Sequence, residues 1–324
     1  MSMNGFKFVL LPPQDGVTRG WAARLREQFP ALSVHAPETH EEALRDIVDA
    51  DACYGFLGED LLASATRLRW LQAPFAAPPA GYYYPALVAH PLVVTNFREI
   101  YNDHIGAHIM AFVLAFARGL DIFSRQQERA DYRQDVARQP IHLPEATALI
   151  VGLGGIGREA ARLLDAFGTR VIATEGRNLD PSPHVAQIHP PEALDALLPQ
   201  ADFVILTIPH TPATEGLFDR ERFRRMKQDG FFINIGRGMT TRLDDLADAL
   251  EAGEIAGAAL DVFEQEPLPS DHRLWHMPGV ILTPHMAWRG PYLDERRYQI
   301  IADNVAAFAC GEPMRNPVDK ASWF

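Results

Sequence analysis

Gly152-Leu153-Gly154-Gly155-Ile156-Gly157 has the spacing G-x-G-x-x-G; an apolar run over 148–152 leads into it and an amphipathic stretch over 156–167 leaves it. Between a strand and a helix each glycine has a task. Gly152 permits the tight turn, Gly154 lets the backbone come close to a pyrophosphate, and Gly157 lets helix and strand pack closely. The helix start offers unpaired N–H groups and partial positive charge to phosphates. A second apolar run, 170–174, ends just before Glu175, 18 residues after Gly157. An acid there can accept hydrogen bonds from an adenosine ribose diol and repels a 2′-phosphate. Arg177 pulls the other way, because arginine pairs with phosphate. The balance favours NAD over NADP.

Three further segments put polar residues just past apolar runs. Arg237 sits on a glycine-flanked turn after 231–235, Asp261 and Glu266 follow the run that begins at 255, and His285 follows 280–283. In doubly wound sheets the carboxyl ends of the strands are where ligands bind. Singly, each residue has a plain structural reading: a surface ion pair, a solvated loop acid, a packed histidine ring.

As an ordered set, VGLGGIGREAARLL, FFINIGRG, GAALDVFEQEPL and ILTPHMAW resemble the NAD-dependent, D-isomer-specific 2-hydroxyacid dehydrogenase family. TIPHTPATEGLF and DNVAAFACGEPMRNPVD match more weakly. The resemblance is strong over 147–285 and loose before Val93. It implies that Arg237, Glu266 and His285 are catalytic. Hydride addition to C2 of a 2-keto acid leaves negative charge on oxygen, which a protonated His285 can neutralise as general acid. Glu266 would orient that ring and favour its cation, and Arg237 offers a planar fork for the substrate carboxylate. The resemblance also places Asp261 at the nicotinamide carboxamide. Pro209, Thr214, Asn234, Ile235 and Gly236 would lie in cofactor-lining loops, and Trp288 near the substrate, with plain packing as its other reading. It further implies a D-product and a homodimer.

The first hundred residues depart from the family. The substrate loop, often a glycine-rich turn whose N–H groups hold the carboxylate, reads Pro74-Phe75-Ala76-Ala77-Pro78-Pro79-Ala80-Gly81. Two prolines remove two donors and stiffen the chain. Ala76 and Ala77 are carried as candidate substrate contacts. Tyr82, Tyr83 and Tyr84 either line a pocket or pack. Arg98 is a candidate second carboxylate contact, the alternative being an ion pair. Ala107 stands where the family often has glutamate, with Asn102, Asp103 and His104 as possible replacements. His104 and His108 share a helical face, but no third ligand and no HExxH pattern accompany them, so no metal site is expected.

The elements that must position these groups follow from periodicity. Strands are expected over 6–11, 51–57, 68–72 and 93–96, with a helix over 21–29 and a loop over 74–85. A buried helix is expected over 105–120, and a polar, solvated helix or connection over 121–139. Later runs predict strands at 148–152, 170–174, 202–208, 231–235, 255–262 and 280–283, with helices at 156–167 and 243–252. Continuous apolar runs separated by helix-length segments imply parallel sheets covered on both faces. The expected fold is α/β: two Rossmann-like doubly wound parallel-sheet domains, the dinucleotide domain inserted into the other. The substrate-binding domain would comprise residues 1–102 and 290–324, the NAD-binding domain 103–289, with hinge closure over the substrate.

Composition sets outer bounds. A chain of 324 residues is long enough for two domains. A net charge of −12 argues against a nucleic-acid partner, while leaving small anions open through local charge. Cys53 and Cys310 cannot staple such a chain and suit a reducing compartment. With no signal-peptide pattern, and the longest apolar run confined to 109–117, a cytoplasmic protein without membrane association is expected. The set as a whole points to a reductase of a small 2-keto acid such as glyoxylate, hydroxypyruvate or pyruvate. Two alternatives stand beside it: a nucleotide-sensing, corepressor-like binding protein on the same scaffold, and a dehydrogenase of a different acid, such as formate or a phosphorus-containing acid.

Overall fold

The computed structural model describes residues 5–76, 81–134 and 138–321. The chain folds into two units: Met1–Ile100 with Pro291–Phe324, and Tyr101–Gly290. The second is therefore an insertion in the first.

The first unit opens with β1 (Lys7–Leu10), α1 (Gly16–Gln28), β2 (Ser33–His35), α2 (His40–Ile47) and β3 (Ala52–Tyr54). It continues with α3 (Glu59–Ser64), β4 (Trp70–Gln72), α4 (Pro85–Ala89) and β5 (Val93–Thr95). The five strands form one parallel sheet in the order β2-β1-β3-β4-β5. Helix starts follow local chemistry. Asp15 accepts from the Thr18 amide at 2.8 Å, and Thr39 and Glu42 cap each other reciprocally at the start of α2. The expected strand over 51–57 is cut to β3 because Gly55 turns at φ +123°. The segment expected as loop to Pro85 ends one residue earlier, since proline is well placed at a first helical position. Cys53 is buried in this core, whereas Cys310 is exposed.

The second unit begins with α5 (Asn102–Arg118), α6 (Leu120–Glu128), β6 (Thr147–Val151), α7 (Gly155–Ala166) and β7 (Arg170–Thr174). Next come β8 (Gln187–His189), α8 (Leu194–Leu197), β9 (Phe203–Leu206), α9 (Arg220–Arg225) and β10 (Phe231–Asn234). The unit ends with α10 (Leu243–Glu251), β11 (Gly257–Leu260) and β12 (Val280–Leu282). A final helix, α11 (Leu293–Cys310), returns to the first unit, where Asn304 donates to Gln72 of β4 at 3.1 Å. The seven strands are parallel, in the order β12-β11-β10-β9-β6-β7-β8. Alternate residues of each strand feed two cores: Leu149, Val204 and Leu206 on one face, Ala148, Ile150, Phe203 and Ile205 on the other. Both faces are apolar because both are covered, hence the unbroken apolar runs. Helix α5 covers the second face, with Phe116 stacked on Phe231 at 4.5 Å between ring centroids. Burying each such phenylalanine contributes roughly 1.5–3 kcal/mol.

The stretch after α5 differs from expectation at Asp121, which is buried rather than solvated and accepts from the Arg138 guanidinium at 3.0 Å. No single helix among the described residues is long and apolar enough to cross a membrane. The bent pair α5–α6 passes that test jointly, but eight residues of α5 are buried in the protein.

Candidate active site

In the seven-stranded sheet the chain moves outward from β6 in both directions, with β9 on one side and β7 on the other. This reversal of order opens a crevice at the carboxyl ends of the strands. The turns after β6, β9, β10, β11 and β12 all leave that edge, since the registers pair Val151 with Leu206, Asn234 with Leu260, and Leu260 with Leu282.

The glycine turn follows β6. Gly152 has φ +97°, a left-handed conformation in which a side chain is strained. A Cβ on Gly157 would stand 2.2 Å from the Gly152 carbonyl oxygen, so only glycine lets α7 start this close to β6. A Cβ on Gly154 would meet nothing within 4 Å. Open space above an extended backbone at a twelve-residue helix start is what a pyrophosphate requires. Gly155 and Ile156 form the first turn of α7. The Thr207 hydroxyl, past β9, donates to the Gly152 carbonyl at 2.6 Å and fixes the turn from the other side. Glu175 reaches the same turn. One carboxylate oxygen accepts from the Leu153 amide at 2.8 Å and the other from the Arg177 amide at 2.9 Å. Negative charge is thus held beside the glycine turn.

Pro209 and Thr214 belong to the loop after β9, where the Thr214 hydroxyl donates to the Pro209 carbonyl at 2.8 Å. The next turn carries Arg237. Asn234, fully buried, uses its whole side chain to shape that turn. Its amide nitrogen donates to the Arg237 carbonyl at 3.1 Å and to Thr241 Oγ1 at 2.9 Å, and its oxygen accepts from the Gly236 amide at 3.0 Å. Arg237 itself donates to the Gly236 carbonyl at 2.6 Å. Burial disfavours its charged guanidinium and lowers its pKa, with the Glu266 charge opposing that. An under-solvated cation of this kind gains from an anionic ligand. The turn is seated on the segment after β11, because a Cβ on Gly238 would overlap the Phe263 carbonyl, 1.8 Å away.

Glu266 accepts from the Phe263 amide at 3.0 Å through Oε1 and meets His285 Nδ1 at 2.7 Å through Oε2. An acceptor on Nδ1 keeps a proton there and leaves Nε2 as the nitrogen for a substrate. His285 lies at φ +48° and its side chain is 42% exposed. Its backbone amide donates to the Asp261 carbonyl at 2.8 Å. The Asp261 carboxylate, 1% exposed, accepts from the Met286 amide at 2.9 Å, the Ala287 amide at 3.0 Å and the Thr283 hydroxyl at 2.6 Å. It therefore holds the loop that carries His285. The Trp288 indole donates to the His285 carbonyl at 3.1 Å and packs on Tyr101 at 6.2 Å. Sequence reasoning passed over Thr207 and Thr283; each is the residue one past a strand end, which was the available signal.

In the first unit, Ala76 accepts at its carbonyl from Asn96 at 3.0 Å, and the Arg98 guanidinium donates to the Pro317 carbonyl at 2.8 Å. Arg98 thus caps backbone in place of the ion pair considered for it. Ala77, Pro78 and Pro79 lie outside the described residues. Tyr82 and Tyr84 donate to the Gly55 and Leu57 carbonyls at 3.1 and 2.9 Å, so they pack. The Tyr83 hydroxyl is buried and has no hydrogen-bond partner among the described residues. No cluster of three or more metal-capable side chains occurs among the described residues.

Residues 110–287 match the profile of the D-isomer specific 2-hydroxyacid dehydrogenase NAD binding domain. A human glyoxylate reductase/hydroxypyruvate reductase is 38% identical over 174 residues, covering 53% of this chain and 52% of its own. A glyoxylate reductase from Korarchaeum cryptofilum is 30% identical over 295 residues, covering 88% and 87%. Among solved structures, an NADPH-dependent glyoxylate/hydroxypyruvate reductase from Sinorhizobium meliloti, in complex with NADP and sulfate, superposes with a TM-score of 0.82. It is 26% identical, over 99% of this chain and 100% of that one.

Proposed function

The chain belongs to the D-isomer-specific 2-hydroxyacid dehydrogenase family of NAD(P)-dependent oxidoreductases, and on that footing we propose that it reduces a small 2-keto acid to the D-2-hydroxy acid. Glyoxylate, hydroxypyruvate and pyruvate are the substrates in view. The observation that carries the reading is the His285 Nδ1–Glu266 contact at 2.7 Å beside the buried Arg237 turn.

The bound reduced nicotinamide supplies a hydride to C2 of the keto acid. The rest of the work belongs to side chains. Arg237 grips the substrate carboxylate and draws electron density from the carbonyl. His285 delivers the proton that turns the developing alkoxide into a hydroxyl, and accepts it back in the oxidative direction. Glu266 keeps the ring oriented and stabilises its cation. Gly152, Gly154, Gly155, Ile156 and Gly157 would cradle the pyrophosphate, with the loops of Pro209, Thr214, Ile235 and Gly236 alongside. Asn234 and Asp261 are carried as cofactor-lining residues that also hold their turns, and Trp288, hydrogen-bonded to the His285 carbonyl, as a residue near the substrate. Ala76 is carried as a backbone contact to substrate, and Arg98, which spends one of its donors on the Pro317 carbonyl, as a second carboxylate contact.

Glu175 supports NADH as the preferred cofactor, since its charge beside the glycine turn disfavours a 2′-phosphate. A cytoplasmic homodimer completes the proposal, and sedimentation at the monomer mass alone would count against the dimer.

The test follows the absorbance of NADH and NADPH with a panel of glyoxylate, hydroxypyruvate, pyruvate, 2-ketobutyrate and phenylpyruvate. Turnover is expected, faster with NADH. His285→Gln is expected to lose about 10²–10⁴-fold in kcat with nucleotide binding retained. An unchanged rate would remove His285 from the chemistry, and a higher kcat/KM with NADPH would reverse the cofactor assignment.

A further inference from the structure

His108 lies on α5, 175 positions before Thr283, yet its Nε2 is 3.0 Å from the Thr283 hydroxyl oxygen. That hydroxyl has one proton, and it goes to Asp261 Oδ1 at 2.6 Å. The Asp261 carboxylate, with an amide on each oxygen, can only accept. Thr283 must therefore receive a proton from His108, which fixes the ring with hydrogen on Nε2. His108 does not reach the carboxylate itself, 3.9 Å away, so Thr283 is the link. The ring is held edge-on by Phe112, one helical turn further along α5, at 4.6 Å between centroids. The chain of donors runs from the helix covering the sheet to the two amides that follow His285, and the His285 backbone is in a left-handed conformation that needs external support.

We propose that His108 is a positioning residue for the reaction: through Thr283 and Asp261 it holds the turn that presents His285. The proposal rests on His285 being the acid–base residue, and its test separates the two. When the Nε2 donor is lost, Thr283 is free to rotate, Asp261 loses its hydroxyl donor, and the amides of Met286 and Ala287 are held by a carboxylate that is no longer fixed. The ring of His285 then samples more orientations, which affects kcat rather than nucleotide binding.

The experiment compares His108→Leu, His108→Gln, Thr283→Val, Thr283→Ser and the double variant His108→Leu/Thr283→Val in the full-length protein. Misplacing a catalytic group costs up to about 10²-fold, so His108→Leu and Thr283→Val are each expected to lower kcat about tenfold. The Kd for NADH, read by fluorescence, should stay within about twofold. Glutamine carries an N–H donor and serine a hydroxyl, so these two variants should recover most of the loss. The double variant should be no worse than the worse single, because both break one chain. A glutamine variant no better than leucine, or a double loss equal to the product of the singles, would overturn the proposal. A second readout does not need turnover: hydrogen exchange of the Met286 and Ala287 amides should quicken in His108→Leu while the amides of β6 stay unchanged. Equal exchange in wild type and variant would overturn the proposal as well. Absence of wild-type turnover with altered exchange would instead overturn the assignment of the chemistry and leave the positioning role standing. If His108→Leu does not fold, the Thr283→Val and Thr283→Ser pair carries the same comparison.

Discussion

Arg237 is a cation that its surroundings solvate poorly. Its guanidinium is buried enough for the charged form to be disfavoured, and one nitrogen is committed to the Gly236 carbonyl at 2.6 Å. The remaining donors of the planar fork are those a carboxylate would take as a pair. Lysine would keep the charge but lose the fork. Arg237→Lys is expected to raise the KM for the keto acid by about tenfold or more while NADH binding stays unchanged, a difference of about 1.4 kcal/mol or above. Steady-state kinetics against glyoxylate and hydroxypyruvate measure it; an unaltered KM would mean that the carboxylate is held elsewhere. Arg237, Glu266 and His285 were singled out in the sequence because their motifs, taken as an ordered set, resemble the family; position after an apolar run alone left each with a plain structural reading. The structure brings Glu266 and His285 into contact, as that reading expected. Asp261 was also picked out, but not what its carboxylate touches. Its partners at 283, 286 and 287 are local to another loop, and the contact of His108 with Thr283 spans 175 positions, beyond any spacing rule.

The strand–turn–helix at β6–α7 lets two glycines be separated by their surroundings. A Cβ at Gly157 would sit 2.2 Å from a backbone carbonyl that cannot move without displacing β6. Overpacking of this kind typically costs about 1–3 kcal/mol. Gly157→Ala is therefore expected to lower Tm by several degrees and to weaken NADH binding together with it. A Cβ at Gly154 meets nothing within 4 Å and the backbone there is extended, so Gly154→Ala should leave Tm nearly unchanged while it weakens NADH binding. Calorimetry and a nucleotide titration on both variants check this, and equal melting losses would show that the two positions share one structural role. The elements of this sheet were readable because strands covered on both faces are apolar at every position. The edge strands β2 and β8 were not. Ser33–His35 and Gln187–His189 are three residues each, with polar residues at both ends and one aliphatic residue between, so neither alternation nor an apolar run marks them. Helix α11 was missed for a related reason: Asn304 and Tyr298 are buried polar-tipped residues within it, and they blur its apolar stripe.

The whole chain carries a net charge of −12, and acid acts on it in opposing ways. Protonating histidines reduces the net charge and with it the self-repulsion of the folded state, an effect that about 0.15 M salt largely screens. Two histidines work against that gain. Burial lowers the pKa of His90, with Lys320 adding to the shift, and burial lowers that of His108 against the pull of Asp261. His90 is moreover committed to its neutral form, since its Nδ1 accepts from the Leu92 amide at 3.2 Å. Between the folded pKa of such a group and its unfolded value near 6.5, the unfolded chain binds more protons than the folded one. Stability is therefore present above pH about 6.5 and declines as pH falls towards the folded value. The carboxylates depressed by partners, among them Asp248 beside Arg273 and Glu295 beside Arg24, act lower on the scale. Their contribution is in place above the ordinary carboxylate range and is lost only below it. Acid unfolding should accordingly show two stages. The first, below pH about 6.5, belongs to the histidines and should shrink in His90→Asn, where the asparagine oxygen can accept from the Leu92 amide at every pH. Tm measured at fixed salt from pH about 8 to 5 tests this: wild type should fall further than His90→Asn, and parallel curves would assign the first stage to groups other than His90.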